Sequence, residues 1–193
     1  MLLKICGITS IEDARWALRC GATALGFVFH SGSPRYLAPS KAIEILHSLS
    51  GDCLRVGVYV GSPAVSPPAG IDVLQLHGLK SEAEICAFGR EVWIAVGPGE
   101  IDSFPHNDLL IDTSWGRGIV SDWESLRSVQ RPFILSGGLT PTNVFEAIQL
   151  LHPLGVDISS GVELSPGLKD PDKIREFLHN ARAASGSDLE RED

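Results

Sequence analysis

Two side chains in this 193-residue sequence stand where proton transfer is chemically reasonable, Cys6 and Asp112. Each closes a short apolar run: Lys4-Ile5-Cys6-Gly7 ends in a thiol followed by glycine, and Leu109-Leu110-Ile111-Asp112-Thr113 ends in a carboxyl group. An ionised thiol can act as base or nucleophile. A carboxyl group desolvated at a strand end can stay protonated and serve as an acid near neutral pH. Both residues also have plainer uses, Cys6 as a small buried apolar side chain and Asp112 as the cap of a turn. Lys4 falls on the same strand face as Cys6 but deeper, so a buried Lys4 needs a carboxylate, and Asp157 is the candidate.

Other residues fit an anionic ligand. Ser136-Gly137-Gly138-Leu139-Thr140-Pro141 and Ser159-Ser160-Gly161-Val162-Glu163 each place hydroxyls and glycine-exposed backbone N–H groups after an apolar run, a combination that binds phosphate without a cationic surface. Gly7 would let backbone approach a ligand closely. Arg35, in Ser33-Pro34-Arg35-Tyr36, offers a fork that matches a planar carboxylate, although a solvated arginine is the simpler use. His77, in Gln75-Leu76-His77-Gly78, is an alternative proton carrier or a packed rim histidine. Asp122 reads as a helix-start residue. The four cysteines, Cys6, Cys20, Cys53 and Cys86, form no C-x-x-C pair, so neither zinc nor a redox couple is indicated, and the last three read as core residues.

These residues need elements to hold them. Apolar runs recur at Leu2–Cys6, Thr23–Phe29, Leu54–Val60, Ile71–Leu76, Val92–Val96, Leu109–Ile111, Phe133–Leu135 and Val156–Ser159, short and nearly continuous in aliphatic residues. Strands buried on both faces look like this, and they imply a parallel sheet. Helical segments alternate with them at Ile11–Cys20, Lys41–Leu49, Glu82–Phe88, Val144–Leu151 and Lys173–Ala184, and Thr140-Pro141 suggests an N-cap with proline in the first helical position. The α/β alternation fits a single (β/α)8 TIM barrel, and a doubly wound open sheet is the rival. Candidate functional residues that follow many different strands favour the barrel. Proline and glycine in residues 61–70, and the Gly97-Pro98-Gly99 start of the segment before Leu109, predict reduced or irregular helices after strands 3 and 5. The barrel domain is expected over residues 1–184, with a polar, frayed tail over 185–193.

In order along the chain, Lys4-Ile5-Cys6-Gly7-Ile8-Thr9, Gly26-Phe27-Val28-Phe29 with Ser33-Pro34-Arg35, Val56-Gly57-Val58-Tyr59-Val60, Leu74-Gln75-Leu76-His77-Gly78, Leu110-Ile111-Asp112-Thr113, Leu135-Ser136-Gly137-Gly138-Leu139 and Val156-Asp157-Ile158-Ser159-Ser160-Gly161-Val162-Glu163 resemble the strand-end motifs of the phosphoribosylanthranilate isomerase family. The resemblance runs from Leu3 to about Phe177. It implies a cofactor-free and metal-free Amadori rearrangement of tryptophan biosynthesis, with Asp112 protonating the ribose ring oxygen and Cys6 removing the C2 proton. It also implies that Arg35 holds the anthranilate carboxylate, while Gly137, Gly138, Ser160 and Gly161, with Gly7 and Ser159 nearby, contact the substrate and its phosphate. The sequence departs from the family in its thin crossovers after strands 3 and 5 and in a short Ser114-Trp115-Gly116-Arg117-Gly118 loop, where Trp115 reads as an aromatic wall in place of flexible glycine.

The expected partner is a small phosphorylated molecule, and the expected assembly a monomer or weak homodimer. A formal net charge of −8 speaks against nucleic acid, whose affinity comes from clustered Lys and Arg. No apolar run suits a membrane span, and Lys4 and Gly7 interrupt what would be a secretory signal, so a cytoplasmic location is expected. A histidine-pathway sugar isomerase with an aspartate base is the enzymatic rival, disfavoured by Cys6. A phosphate-binding barrel without activity is the non-enzymatic one.

Overall fold

The computed structural model describes residues 1–114 and 123–186. Eight parallel strands close on themselves: β1 (Leu2–Cys6), β2 (Ala24–Val28), β3 (Leu54–Val60), β4 (Val73–His77), β5 (Glu91–Val96), β6 (Asp108–Asp112), β7 (Phe133–Ser136) and β8 (Gly155–Ile158). Closure is made by β1 pairing with β8, in a register that puts Lys4 opposite Asp157. The open-sheet alternative is thereby excluded. Side chains alternate between two apolar layers. Ala24, Val56, Val73, Trp93, Leu110 and Ile134 fill the barrel, while Ile5, Phe27, Leu74, Ile94, Ile111, Leu135 and Val156 face outward into the shell of helices and loops.

Among the described residues, four α-helices follow β1, β2, β7 and β8. Helix α1 (Ile11–Arg19) starts at Ser10, whose hydroxyl accepts from the Asp13 N–H at 3.0 Å, and Glu12 and Asp13 complement the positive end of the helix dipole. Helix α2 (Pro39–Ser48) begins with proline, two residues earlier than its apolar pattern suggests. Helix α3 (Val144–Leu151) follows a turn over Thr140–Asn143. Thr140 does not cap it: its hydroxyl meets that of Thr142, while Asn143 Oδ1 accepts from the Thr140 N–H, so the regular helix starts after Asn143. Helix α4 (Pro171–Ser185) is capped by Asp170 and closed by Gly186 in the left-handed region, and it buries Ile174, Phe177, Leu178 and Ala181 along one face. Each such large apolar side chain contributes about 2–3 kcal/mol by burial. Ser185, assigned to the tail by composition, is thus helical; the rest of the tail from residue 187 lies outside the described residues.

The crossovers after β3 and β5 are thin, as the glycine and proline content predicts: residues 61–72 carry no helix, and the second holds one 3-10 segment, Pro98–Ser103. The expected helix over Glu82–Phe88 is corrected to a single 3-10 turn, Glu82–Glu84. None of its residues is buried, so no apolar face offsets the cost of nucleating a helix, and Phe88 and Gly89 then turn through positive φ. Cys86, expected in the core, is exposed on this segment, while Cys20 and Cys53 are half-buried against the outer layer. A small antiparallel hairpin, β9 (Glu163–Ser165) and β10 (Leu168–Lys169), follows β8 at the rim and was not foreseen. No helix among the described residues is long and apolar enough to cross a membrane.

Candidate active site

The strand ends converge as the barrel requires. One cleft at the C-terminal rim is lined by Cys6, Arg35, His77, Asp112, Ser136, Asp157 and Ser159 among others, and it adjoins a polar recess formed by Gly137, Gly138, Leu139, Ser159 and Ser160. Cys6 is 7% exposed. Burial pushes its thiol up from the ordinary value, against the pull of the Lys4 ammonium. Lys4 is fully buried inside the barrel and donates to Asp157 Oδ1 at 2.7 Å, while Asp157 Oδ2 accepts from Ser136 Oγ at 3.1 Å. Burial works against the Lys4 charge, but Asp157 and Cys6 outweigh it and hold the ammonium above its usual range. The expected Lys4–Asp157 pair is present.

Asp112 projects from the end of β6. Its Oδ1 accepts from the Ser114 N–H at 2.9 Å and the Ser114 hydroxyl at 3.0 Å, leaving Oδ2 without a hydrogen bond among the described residues. Gly137, at φ +89°, lies directly beside it: a Cβ there would crowd Asp112 Oδ1 and stand 2.6 Å from the Ser114 nitrogen and 2.7 Å from that of Thr113. Gly161 serves a parallel purpose, since a Cβ would drive into the Leu139 carbonyl oxygen. The two glycine turns therefore touch backbone to backbone and form one recess. Asp122 and Trp115 lie outside the described residues.

Arg35 reaches the cleft from the loop after β2, but one edge of its guanidinium is occupied. Nε and Nη2 donate to the two carboxylate oxygens of Glu163 at 2.9 and 2.7 Å. Glu163 Oε1 also accepts from Lys169 Nζ at 2.9 Å and from the Gly167 N–H at 3.3 Å. Burial alone would push Glu163 up, yet Arg35 and Lys169 together hold it below the carboxylate range; burial pushes Lys169 itself down despite its partner. The hairpin thus clamps Arg35 by one edge and leaves Nη1 without a hydrogen bond among the described residues, in a side chain that lines the cleft. Gly7 belongs to this clamp: at φ +76° its N–H donates to the Gly26 carbonyl, and Arg35 fills the space a side chain would occupy, with Cδ 2.6 Å from the Cβ position. Sequence reasoning missed Glu163 and Lys169 because strands of three and two residues carry little periodicity; the Pro166-Gly167 turn was the available signal.

His77 lines the same cleft as Asp112, its Nε2 2.8 Å from the Gln75 amide, and burial pushes its pKa down, which favours the neutral ring. Among the described residues no group of three or more His, Cys, Asp or Glu side chains is arranged to hold a metal ion.

This arrangement is shared. The sequence pattern of the N-(5'phosphoribosyl)anthranilate (PRA) isomerase family matches residues 3–180. The chain is 40% identical over 204 residues to the N-(5'-phosphoribosyl)anthranilate isomerase of Geotalea daltonii, covering 96% of this chain and 98% of that protein. Against the enzyme of the same name from Thermotoga neapolitana it is 42% identical, covering 93% and 98%. The crystal structure of phosphoribosyl anthranilate isomerase from Thermotoga maritima superposes with a TM-score of 0.84 at 36% identity, covering 95% of this chain and all of the other. A solved complex of such an isomerase with reduced 1-(o-carboxyphenylamino)-1-deoxyribulose 5-phosphate superposes with a TM-score of 0.82 at 36% identity, again over 95% of this chain and all of the other.

Proposed function

Since the chain belongs to the N-(5'-phosphoribosyl)anthranilate isomerase family and is such an isomerase, acting in tryptophan biosynthesis on a small phosphorylated substrate, we propose that Asp112 and Cys6 divide its proton transfers. The reaction converts N-(5-phosphoribosyl)anthranilate to 1-(2-carboxyphenylamino)-1-deoxyribulose 5-phosphate. Asp112, entering protonated, gives its proton to the ribose ring oxygen; the C1–O bond breaks and a Schiff base forms. The Cys6 thiolate then takes the C2 proton, and the C2–H pair becomes the C1–C2 double bond of an enolamine. Tautomerisation moves the C2 hydroxyl proton to C1 and leaves the ketone, while solvent returns Asp112 and Cys6 to their starting protonation. No oxidant, reductant or cofactor enters the balance.

The observation that carries this reading is the placement of the two groups in one cleft, on β1 and β6, beside the recess of the β7 and β8 turns. That recess, with Gly137, Gly138, Ser159, Ser160 and Gly161, suits the phosphate. The free edge of Arg35 suits the anthranilate carboxylate, and Gly7 acts by giving Arg35 its path. The remaining expectations stand as part of the proposal: a cytoplasmic enzyme, monomeric or weakly dimeric, with one barrel domain over residues 1–184. One relative from Thermotoga maritima is dimeric and has also been solved as monomers, so sedimentation velocity at micromolar chain concentration is the check on assembly.

General acid and base groups typically contribute 10²- to 10⁴-fold. Cys6→Ser and Asp112→Asn are each expected to lower kcat by that range with smaller changes in KM, measured by the fluorescence of substrate consumption. Wild-type kcat in either folded variant would remove that residue from the chemistry.

A further inference from the structure

A buried thiol is a poor base unless something favours its ionised form, and the barrel interior supplies one candidate. Lys4 projects from the same strand as Cys6, one layer deeper, and is fully buried. Both side chains turn into the space left by Gly26, which pairs with Cys6 on the neighbouring strand: a Cβ at Gly26 would lie 2.7 Å from Cys6 Sγ and 3.0 Å from Lys4 Nζ. The Lys4 ammonium donates one hydrogen bond to Asp157, and the Ser136 hydroxyl donates another to the same carboxylate. We propose that Lys4, anchored by Asp157, is the positioning residue that makes Cys6 a competent base, its ammonium standing as counter-cation to the thiolate. The inference rests on Cys6 being the proton acceptor.

Two considerations separate this from a merely structural ion pair. A pair this deep in an apolar interior bears a large desolvation cost, and its replacement by apolar residues is often neutral or stabilising, so stability alone gives little reason for a lysine here. The charges around Cys6 also place Lys4 first among them. From the elements packed about the thiol come Lys4 on β1, Asp157 on β8, Lys169 on β10 and Arg35 after β2, with His77 on β4 and Asp112 on β6 lining the same cleft. Lys4 acts on the thiol more strongly than Asp157 or Lys169 does. Each of these cations has a carboxylate partner, Lys169 and Arg35 in Glu163 and Lys4 in Asp157; what singles out Lys4 is that its Nζ shares with Sγ the space beside Gly26.

The test reads thiolate and turnover separately in the full-length enzyme. The rate of iodoacetamide labelling of Cys6, resolved from the other cysteines by peptide mass spectrometry, is followed against pH alongside kcat/KM. The proteins are wild type, Lys4→Met and Lys4→Met/Asp157→Leu, the last avoiding an uncompensated buried carboxylate; circular dichroism confirms folding. In Lys4→Met the labelling midpoint is expected to rise by at least about one pH unit, equivalent to tenfold less thiolate at a fixed pH below it. The double variant should shift in the same direction by less, and the acid limb of kcat/KM should move with both. If Lys4→Met does not fold, the double variant decides. Unmoved labelling midpoints in the folded variants would overturn the role of Lys4. A moved midpoint with an unmoved activity limb would instead overturn Cys6 as the base.

Discussion

Replacing Gly137 by alanine should disable Asp112 as the acid by displacing it. The new Cβ would stand 2.6 Å from the Ser114 nitrogen and 2.7 Å from the Thr113 nitrogen, and would crowd Asp112 Oδ1 as well. Unstrained contacts between non-bonded heavy atoms lie near 3.5 Å, so the end of β6 has to retreat by about 1 Å. Two of the three obstructing atoms are backbone, so no side-chain rotation relieves the clash. A misplacement of that size costs roughly 10²-fold in rate, or about 2.7 kcal/mol of transition-state stabilisation. The positive φ of +89° adds about 1–2 kcal/mol of strain to the folded state, which at this chain length lowers Tm by roughly 2–8 °C. The assay is steady-state fluorescence for kcat and KM, with a thermal melt on the same sample. A double-mutant cycle sharpens it: if the alanine acts through Asp112, it should cost little further kcat in an Asp112→Asn background, because the group it displaces is already inactive. Multiplying losses, or a kcat within threefold of wild type in the single variant, would refute the argument.

Other expectations follow the same geometry. Glu163→Gln removes the shared counter-charge of Arg35 and Lys169, so KM should rise, and loss of one member of a buried ion network should cost about 3 kcal/mol, near 10 °C in Tm. Because the folded pKa of Glu163 lies below its unfolded value, the stability difference from wild type should be complete above about pH 4.5 and vanish as pH falls through the folded pKa; a gap that persists at lower pH would contradict this. Gly26→Ala should lower kcat by pushing Cys6 Sγ and Lys4 Nζ apart, and a wild-type kcat in a folded variant would show that the spacing is immaterial. Since burial holds the Cys6 thiol above its ordinary value, kcat/KM should still climb between pH 7 and 9, losing rate as pH drops; a plateau already reached at pH 7 would contradict that assignment.

How far the sequence spoke for itself depended on whether the signal was local. Buried parallel strands announce themselves as aliphatic runs, and strand-end residues such as Cys6, Asp112 and Gly137 are placed once the runs are ordered. Lys4 and Asp157 were paired across 153 positions because closure makes the first and last strands neighbours. Glu82–Phe88 misled for the opposite reason: its helix formers are in place, but only Ile85 packs against the core and none of the seven residues is buried, so the tertiary packing that supplies most helix stability is too slight there. The Arg35–Glu163–Lys169 clamp was illegible as well, since it depends on a hairpin whose ladder is two residue pairs long. Arginine chemistry suggested a ligand for Arg35, but only coordinates show that one of its edges is already bonded.

The uneven shell around the barrel bears on how the site works. Helices α1, α2, α3 and α4 follow β1, β2, β7 and β8, the strands that carry Cys6, Lys4 and Asp157 and lead into the Arg35 loop and both glycine turns. The crossovers after β3, β4 and β5 hold only loops and 3-10 segments, and β6, which bears Asp112, is followed by another 3-10 segment, Trp123–Ser128. Cys6, Lys4, Asp157 and the glycine recess are therefore built on helix-backed strands, while Asp112, proposed as the acid, ends a strand whose crossover holds one 3-10 segment among the described residues. Placing the acid there carries little penalty as long as closure holds β6 between β5 and β7, because a closed ladder has no free edge to fray and its register fixes the strand end. What positions the Asp112 side chain is then local: two donors from Ser114 and the bare face of Gly137.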